Sequence, residues 1–519
     1  MSTDHPLLRS AVLAALIAAI SMLAFSSGAG AGQTQTFVVL YRGGASSADA
    51  GSAIQKAGGT LVHNYSQIGV VIARSSSPSF HDRLMRDRGI EGVSSTERFG
   101  AGLENDVTAT DASGGPGDLP NSPATDNDAL SQYQWDMELI HAPEAHEITG
   151  GSPDVIVGDI DTGLDSTHPD LVDNIDFDNS VSCLSGEPDQ DPSAWNDRSG
   201  HGTHTAGTIA AASNDIGIVG VAPNVKIAAI KAGNDDGYFF PEAVICAFMW
   251  AGTHDIDITN NSYFADPWLY NCRNDSEQHA IWKAEQRAIR FAQSHGVLVV
   301  SAQGNENHDL AHPTTDELSP DFPPDTAVTR DVNNACIVIP VEIPGVVGVT
   351  GVGPDAEKSF YSSYGLGVAD VTAPAGDSTQ RPNPVGRVLS TLAHDTHVEG
   401  VSGIKFLLDL NRLFMDPPGC VDAATGVPAA DCAMWAYFQG TSMASPHAAG
   451  VAALIQSQFG PLPPGAIAAM LQQTGVDIPC PQPRTVTEPF ELGDATCLGG
   501  SANNGFYGHG LVDAEAAVQ

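Results

Sequence analysis

The sequence is poor in basic residues. Of its 519 residues, 22 are Lys or Arg and 62 are Asp or Glu, which gives a formal net charge of −40. This surplus repels polyphosphates and anionic headgroups, so it argues against a nucleic-acid partner and against binding to an anionic membrane. Only 16% of the residues are charged and 42% are hydrophobic, which indicates a globular chain with a large buried core.

The N-terminal apolar run is too short for a membrane span, which needs about 20 residues. It covers residues 11–25, follows Arg9 and precedes the small residues 26–32. This pattern is typical of a secretory signal peptide, expected over residues 1–31, and an uncleaved anchor is the alternative. We therefore expect a secreted protein that has no membrane contact after signal cleavage.

Cysteine is absent before residue 183, and no two cysteines have CxxC spacing, which argues against a zinc knuckle. An even number in an exported chain favours disulfides. Cys420–Cys432 and Cys480–Cys497 are the candidates for short-range bridges. The sequence leaves the pairing open for all eight cysteines, which lie at positions 183, 246, 272, 336, 420, 432, 480 and 497.

The chain divides into three zones after the signal segment. Residues 37–99 alternate in polarity and predict a small α+β unit, with strands at 37–42, 61–65 and 70–74 and helices at 48–57 and 81–89. Residues 101–127 are acidic and rich in Gly and Pro, which predicts an exposed linker. From about residue 128 to 519, buried Val/Ile strands alternate with helical stretches, which predicts a mainly parallel sheet with helices on both faces.

Two polar segments follow buried strands in this third zone. Asp161 ends the strand predicted at 155–160, at the edge where α/β proteins place their sites, although a turn-capping aspartate is the alternative. His201 and His204 open a helix of small residues without the glutamate of an HExxH metal motif. A structural role is the alternative for either histidine.

Two further segments carry candidate groups. Asn305 follows the strand predicted at 296–302, where its amide could donate into the same sheet edge. Ser442 opens a long apolar helix, and a simple N-cap is the alternative role. The same position offers a free backbone N–H and a positive dipole end to an anion.

The motifs DTGLDSTHPDL (161–171), GHGTHTAG (200–207) and GTSMASPHAAG (440–450) occur in the order Asp, His, Ser. Together they resemble the subtilisin-like serine proteases (subtilases, peptidase family S8) over residues 128–519. The resemblance implies a subtilisin-like three-layer α/β fold. It also implies a serine endopeptidase that hydrolyses peptide bonds in proteins through an acyl-enzyme.

The resemblance assigns roles to the candidate residues. Ser442 would be the nucleophile, His201 the general base, and Asp161 the group that orients His201. Asn305 and the Ser442 backbone N–H would hold the oxyanion. His204 would be structural.

The resemblance also gives the N-terminal zone a role. Residues 33–100 look like an inhibitory propeptide that acts as an intramolecular inhibitor and is removed by self-processing. The cleavage would fall between about residues 99 and 128, leaving residues 128–519 as the peptidase domain. Protein or peptide substrates and a monomeric state are expected.

The specificity pocket departs from the family pattern. Ser262, Tyr263 and Phe264 stand where subtilases usually have Ser-Leu-Gly or Ser-Phe-Gly, and Gly304, at the end of another predicted strand, would also contact substrate. Phe264 in the place of the glycine would narrow the pocket or displace its wall. The usual preference for a large apolar side chain is therefore open. Arginine specificity would need acids in the pocket, and the direction of Asp266 is unknown at this stage.

No cofactor is expected for the chemistry. The loop NDIGIVGVAP (214–223) resembles the calcium loop of the family. Asn214 and the carbonyls of Ile216 and Ile218 would then bind calcium together with Asp170, since hard oxygen donors suit this ion. An ordinary loop is the alternative.

Two other functions share these residues. A dedicated processing enzyme would differ from a broad protease only in cleaving a single sharp motif. A non-catalytic binding module on the same scaffold would fail to react with a fluorophosphonate probe.

Overall fold

The structure is a computed structural model that describes residues 34–96, 122–322, 326–381, 384–396, 403–490 and 492–519. The predicted signal peptide, and residues 101–121 of the predicted linker, lie outside these ranges. Within the described ranges, no helix is both long and apolar enough to cross a bilayer.

The N-terminal unit is a four-stranded antiparallel sheet in the order β2-β3-β1-β4. Its elements, in chain order, are β1 (Gln35–Tyr41), α1 (Ala50–Ala57), β2 (Thr60–Tyr65), β3 (Val70–Ser75), α2 (Phe80–Leu84) and β4 (Ile90–Ser95). Helix α1 ends at Gly58, whose φ of 94° is readily adopted only by glycine.

Helix α2 is shorter than the prediction over residues 81–89. It buries Phe80 and Leu84, four residues apart on one face. Residues 85–88 that follow are all exposed, so no packing extends the helix beyond one turn.

The central sheet has seven strands, all parallel, in the order β15-β14-β10-β8-β5-β7-β6. These strands are β5 (Ile156–Asp161), β6 (Val181–Ser182), β7 (Lys226–Lys231), β8 (Ile258–Asn261), β10 (Leu298–Ala302), β14 (Val347–Val352) and β15 (Val371–Pro374). The prediction of a mainly parallel sheet is confirmed.

Short strands outside the central sheet form small ribbons on its periphery. They are β9 (Asn271–Cys272), β11 (Thr315–Asp316), β12 (Arg330–Asp331), β13 (Cys336–Ile337), β16 (Val388–Thr391), β17 (Leu413–Asp416), β18 (Ala433–Phe438), β19 (Thr485–Glu488) and β20 (Gly493–Thr496).

Helices cover both faces of the central sheet, as expected for strands whose residues are apolar on both sides. On one face pack α5 (His201–Ala210), α9 (Thr441–Phe459), α10 (Pro464–Thr474) and α11 (Ala514–Val518). On the other pack α6 (Pro241–Ala251) and α7 (Gln278–Ser294). The other helices are α3 (Trp135–Leu139), α4 (Ala142–His146), α8 (Gly403–Asp409) and a 3₁₀ turn at Ser131–Tyr133.

The small residues of α9 allow close packing behind the strand ends. A Cβ atom on Gly450 would lie 2.6 Å from Cβ of Val221, closer than real side chains approach. This contact explains the small-residue run that surrounds Ser442 in the sequence.

Four disulfides pair all eight cysteines. Cys420–Cys432 and Cys480–Cys497 are the two short-range bridges expected from the sequence. The other two bridges, which the sequence left open, are Cys183–Cys246 and Cys272–Cys336. The first joins the residue after β6 to α6, and the second joins β9 to β13.

Candidate active site

The end of β5 and the start of α5 bring an acid to a histidine. Asp161 is fully buried, and its Oδ1 lies 2.7 Å from Nδ1 of His201. The same oxygen accepts the backbone N–H of Thr162 at 2.7 Å. Gly200 precedes α5 with φ 86°, so the backbone turns sharply and presents His201 to the strand end.

The electrostatics of this pair affect proton transfer. Burial lowers the pKa of His201, but the charge and hydrogen bond of Asp161 outweigh it and raise the pKa to about 8. The imidazole is 28% exposed. It can therefore exchange protons near neutral pH with a group in the open space beside it.

His204 has a different environment one helical turn later. It is fully buried, its ring stacks on Phe438 at 4.4 Å, and its Nε2 lies 3.0 Å from the carbonyl of Ala436. Burial is the main cause that lowers its pKa to about 3, so the ring is neutral at physiological pH. This histidine packs α5 against β18.

A proline determines how Ser442 is held. In a regular helix, the carbonyl of Ser442 would accept the N–H of residue 446, but Pro446 has none. The hydroxyl of Ser262 donates to this carbonyl instead, at 2.9 Å. In return, Oγ of Ser442 donates to the carbonyl of Ser262 at 3.2 Å. This reciprocal pair fixes the start of α9 to the end of β8.

The Ser442 hydroxyl therefore points to a backbone carbonyl here, and no hydrogen bond joins it to His201 within the described parts of the chain. Catalytic hydrogen bonds are often long or misaligned in free enzymes and shorten when substrate binds. Both side chains line one cavity, so they face the same open space.

The start of α9 also orients Asn305. Its amide oxygen accepts the N–H of Thr441 at 2.8 Å and the hydroxyl of Thr441 at 3.0 Å. Because the oxygen is occupied, the amide nitrogen is left to donate elsewhere. The backbone N–H of Ser442 lies in the first turn of α9, where helical N–H groups lack intrahelical partners.

All the residues predicted for substrate contact lie around a single cavity of about 270 Å³. The segment Ser262–Phe264 lines this cavity together with Gly304 and Asn305. Phe264 packs against the cluster that contains Leu269 and Val338, so it contributes an apolar wall. The cavity also has three acidic lining residues, Asp266, Glu306 and Asp321.

A second buried acid lies beside the Asp161–His201 pair. Asp159 sits two residues earlier on β5 and accepts hydrogen bonds from Thr205 on α5 at 2.7 Å and from Asn260 on β8 at 2.8 Å. Ser445 on α9 donates to Asn260 at 2.6 Å. This network joins the elements that carry His201 and Ser442.

Asp159 was not predicted as a site residue, although its spacing from Asp161 in the sequence could have indicated it. Two acids at i and i+2 of a buried strand lie on the same face. One of them needed neutralisation or polar partners. Burial, followed by the charge of Asp161, raises the pKa of Asp159 well above its usual range.

Asp170 lies against the loop that resembles a calcium site. Its Oδ2 accepts the N–H of Ile218 at 3.0 Å and the indole N–H of Trp435 at 2.6 Å. Its Oδ1 is buried and has no partner among the described residues. Burial is the main cause that raises the Asp170 pKa to about 7. In the same loop, the amide oxygen of Asn214 accepts the N–H of Ile216 at 3.1 Å.

Residues 152–510 match the family model for the subtilase family, peptidase S8. The chain is 27% identical to fervidolysin of Fervidobacterium pennivorans over 77% of its own length, but this match spans only 46% of fervidolysin. It is also 27% identical to subtilisin BL of Lederbergia lenta, over 74% of this chain and 98% of that protein.

Solved structures share the fold. The epidermin leader peptide processing serine protease from Staphylococcus aureus superposes with a TM-score of 0.64 at 20% identity, over 94% of this chain and 98% of that one. Because the family model covers well over half of the chain, this protein belongs to the subtilase family. It is a serine-type endopeptidase, a hydrolase that acts on protein or peptide substrates.

Proposed function

We propose that the protein is a secreted serine endopeptidase, made as a zymogen, whose catalytic triad is Asp161, His201 and Ser442. The observation that carries the proposal is the 2.7 Å contact between Asp161 and His201 on a cavity that Ser442 and Asn305 also line. Geometry of this kind brings a base, its orienting acid and a nucleophile to one place.

The proposed reaction begins when Ser442 Oγ attacks the carbonyl carbon of the scissile bond. Nε2 of His201 takes the hydroxyl proton, because Nδ1 is occupied by Asp161. His201 then gives this proton to the leaving amine, which departs and leaves an acyl-enzyme. A water molecule repeats the sequence, with His201 again as base, and releases the acid product and the free serine.

Two donors would stabilise the negative oxygen that forms during each attack. One is the backbone N–H of Ser442 in the first turn of α9, and the other is the amide nitrogen of Asn305. Thr441 supports the second donor by holding the amide oxygen. A single donor of this kind typically lowers the barrier by about 3 kcal/mol.

The zymogen part of the proposal rests on the contact between the N-terminal unit and the peptidase. Val38, Leu40 and Ile72 of the small sheet share one apolar cluster with α6 and α7. Glu91 lies among three basic groups of α7, Lys283, Arg287 and His279. We propose that this unit, within residues 33–100, is an intramolecular inhibitor that self-processing removes.

Secretion is proposed from the signal-like N-terminus together with the four disulfides, since oxidising compartments favour these bonds. A monomeric state is proposed with it.

We also propose a structural calcium ion in the loop at residues 214–223. The buried, unpartnered Oδ1 of Asp170 supports this proposal, because an anionic oxygen of this kind suits a cation. The described residues contain no cluster of three or more His, Cys, Asp or Glu side chains suited to a metal. Carbonyls, such as those of Ile216 and Ile218, and the Asn214 side chain would therefore supply the other ligands.

Chelation tests the calcium proposal. Removing calcium should lower the thermal midpoint of the wild-type protein by several degrees and leave the midpoint of Asp170→Asn almost unchanged. An equal response of both proteins to the chelator would contradict the assignment of the site.

A fluorophosphonate probe tests the triad. The protein, freed of its N-terminal unit, should be labelled covalently at Ser442, and Ser442→Ala should not react. Ser276→Ala, which changes an exposed serine far along the chain from the motifs, is the matched control and should label normally. Absence of labelling in the wild-type protein would favour a non-catalytic binding module.

A further inference from the structure

We propose that the cavity beside Ser442 takes a lysine or arginine side chain from the substrate residue just before the scissile bond, and that Asp266 and Asp321 bind its charge. The inference rests on the proposed function, since it assigns specificity to the proposed peptidase site.

The cavity is lined by both acidic and apolar side chains. Phe264, Leu269 and Val338 belong to one apolar cluster, and all three line the cavity. Lysine and arginine have long apolar stems that pack on such surfaces while their charged ends reach polar groups. The walls therefore suit the stem, and the acids suit the end.

Asp266 is the more deeply buried of the two acids. It is 4% exposed and accepts the backbone N–H of Phe239 through Oδ2. Its carboxyl lies near that of Asp321, which lines the same cavity. Two neighbouring carboxylates repel each other, so the pair favours a bound proton or a bound cation.

Asp321 supplies the unsatisfied group. Its Oδ1 is buried and has no hydrogen-bond partner in the described parts of the chain. Burial raises the pKa of both carboxyls, and the neighbouring Asp321 raises that of Asp266 further. A substrate cation would offset the repulsion between the two carboxylates and could donate to the unpartnered oxygen, so both carboxyls could be ionised with it bound.

No lysine or arginine of the described residues competes for this position. Among the described residues, the cavity lining includes no lysine or arginine, and Glu306 adds a third acid. Arg330 in β12 is bound to Asp316, with a nitrogen–oxygen distance of 2.5 Å. The net charge of −40 would further favour the approach of basic peptides.

An apolar side chain would fit the walls but leave the acids unsatisfied. It would leave the buried Oδ1 of Asp321 without a donor. The pocket should therefore discriminate against leucine and methionine, and against glutamine, which has donors but no charge.

The test compares peptides that differ only at the residue before the scissile bond. With the matured protein, kcat/KM for arginine and lysine should exceed that for leucine, methionine and glutamine by about 100-fold. Asp321→Asn should lower the ratio of arginine to leucine cleavage at least about tenfold. Glu317→Gln is the matched control, because it removes an exposed acid outside the cavity four residues earlier.

Asp266→Asn should act in the same direction, but its contact with Phe239 makes it the less safe variant for folding. A preference for leucine or methionine that Asp321→Asn leaves unchanged would overturn the inference. In that case, fluorophosphonate labelling at Ser442 would show that only the specificity assignment fails. No labelling and no cleavage of any peptide would mean that the proposed function itself is wrong.

Discussion

The N-terminal unit and the peptidase unit bury their sheets in different ways. In the small sheet, one face holds its own core, with Val39 and Ile54, while the other face contributes Val38 and Leu40 to a cluster with α6 and α7. The central sheet is covered on both faces by helices of its own unit. One face of the small sheet is thus buried only because the two units are in contact.

The bonds that hold each region differ as well. All four disulfides lie within the peptidase unit, and none joins it to the N-terminal unit. A buried hydrogen-bond network through Asp159 and Asn260 ties its strands to α5 and α9. The contact between the units is apolar packing with a small charge cluster around Glu91. Because no disulfide links the two units, cleavage of the backbone between them would leave only these non-covalent contacts, as the proposed zymogen requires.

Replacing Ser442, the proposed nucleophile, should have the largest effect on both activity and release of the N-terminal unit. Ser442→Ala should lower turnover by about a millionfold, as losses of a triad serine do. It should also keep the N-terminal unit covalently attached, because self-processing needs the same serine. Intact mass and peptide hydrolysis measure both effects. The control Ser276→Ala should mature normally, and a fully processed Ser442→Ala protein would contradict self-processing.

The pH dependence of kcat/KM tests the peptidase unit alone. His201 must be neutral to accept the proton of Ser442, and its pKa is about 8. After removal of the N-terminal unit, kcat/KM should therefore fall roughly tenfold for each pH unit below about 8. A profile that stays flat from pH 8 to about pH 6 would show that another group limits the reaction.

The hydrogen-bond network around Asp159 predicts that two substitutions of this residue change stability by different amounts. Burial, followed by the charge of Asp161, raises the pKa of Asp159 and so favours the neutral carboxyl. In Asp159→Asn, the amide oxygen should still accept from Asn260 and the amide nitrogen should donate to the Thr205 hydroxyl. Asp159→Ala removes them and should lower the free energy of unfolding by about 1–3 kcal/mol. Thermal unfolding measures both changes. Equal destabilisation would mean that Asp159 acts through its charge.

The smallest effect is expected where the two units meet. Burial would raise the pKa of Glu91, but Lys283 and Arg287 outweigh it and keep this pKa below its usual value. Glu91→Gln should weaken the contact by about 1 kcal/mol, so activity should appear about five times sooner during maturation. Asp82→Asn, an exposed acid of the same unit, is the control. An unchanged delay before activity appears would show that apolar packing alone holds the N-terminal unit on the peptidase unit.

Local sequence patterns predicted several strands and the placement of the candidate catalytic residues. The strands predicted at 155–160 and 296–302 lie within a few residues of the observed strands, because continuous Val/Ile runs are visible in the sequence. The placement of Asp161 at a strand end and of His201 and Ser442 in the first turn of helices follows from the same local signals.

Other features depended on partners far away in the chain. The bond from Ser262 to the Ser442 carbonyl follows from Pro446, but no pattern in the sequence identifies which side chain replaces the missing N–H. Helix α2 was overestimated because polar residues can continue a helical pattern without packing. The position of Asp266 could not be predicted either, since a loop residue has no periodicity that fixes its direction.

The sequence by itself determined the family, the fold class and the order of the candidate catalytic residues, because these depend on short motifs and on local hydrophobic periods. Only the tertiary structure decided two pairings, Cys183–Cys246 and Cys272–Cys336, and the meeting of Asp266 with Asp321 at the cavity. The reason is physical. Contacts between distant segments depend on how loops fold over the sheet, and that follows from the packing of the whole core rather than from any one stretch of chain.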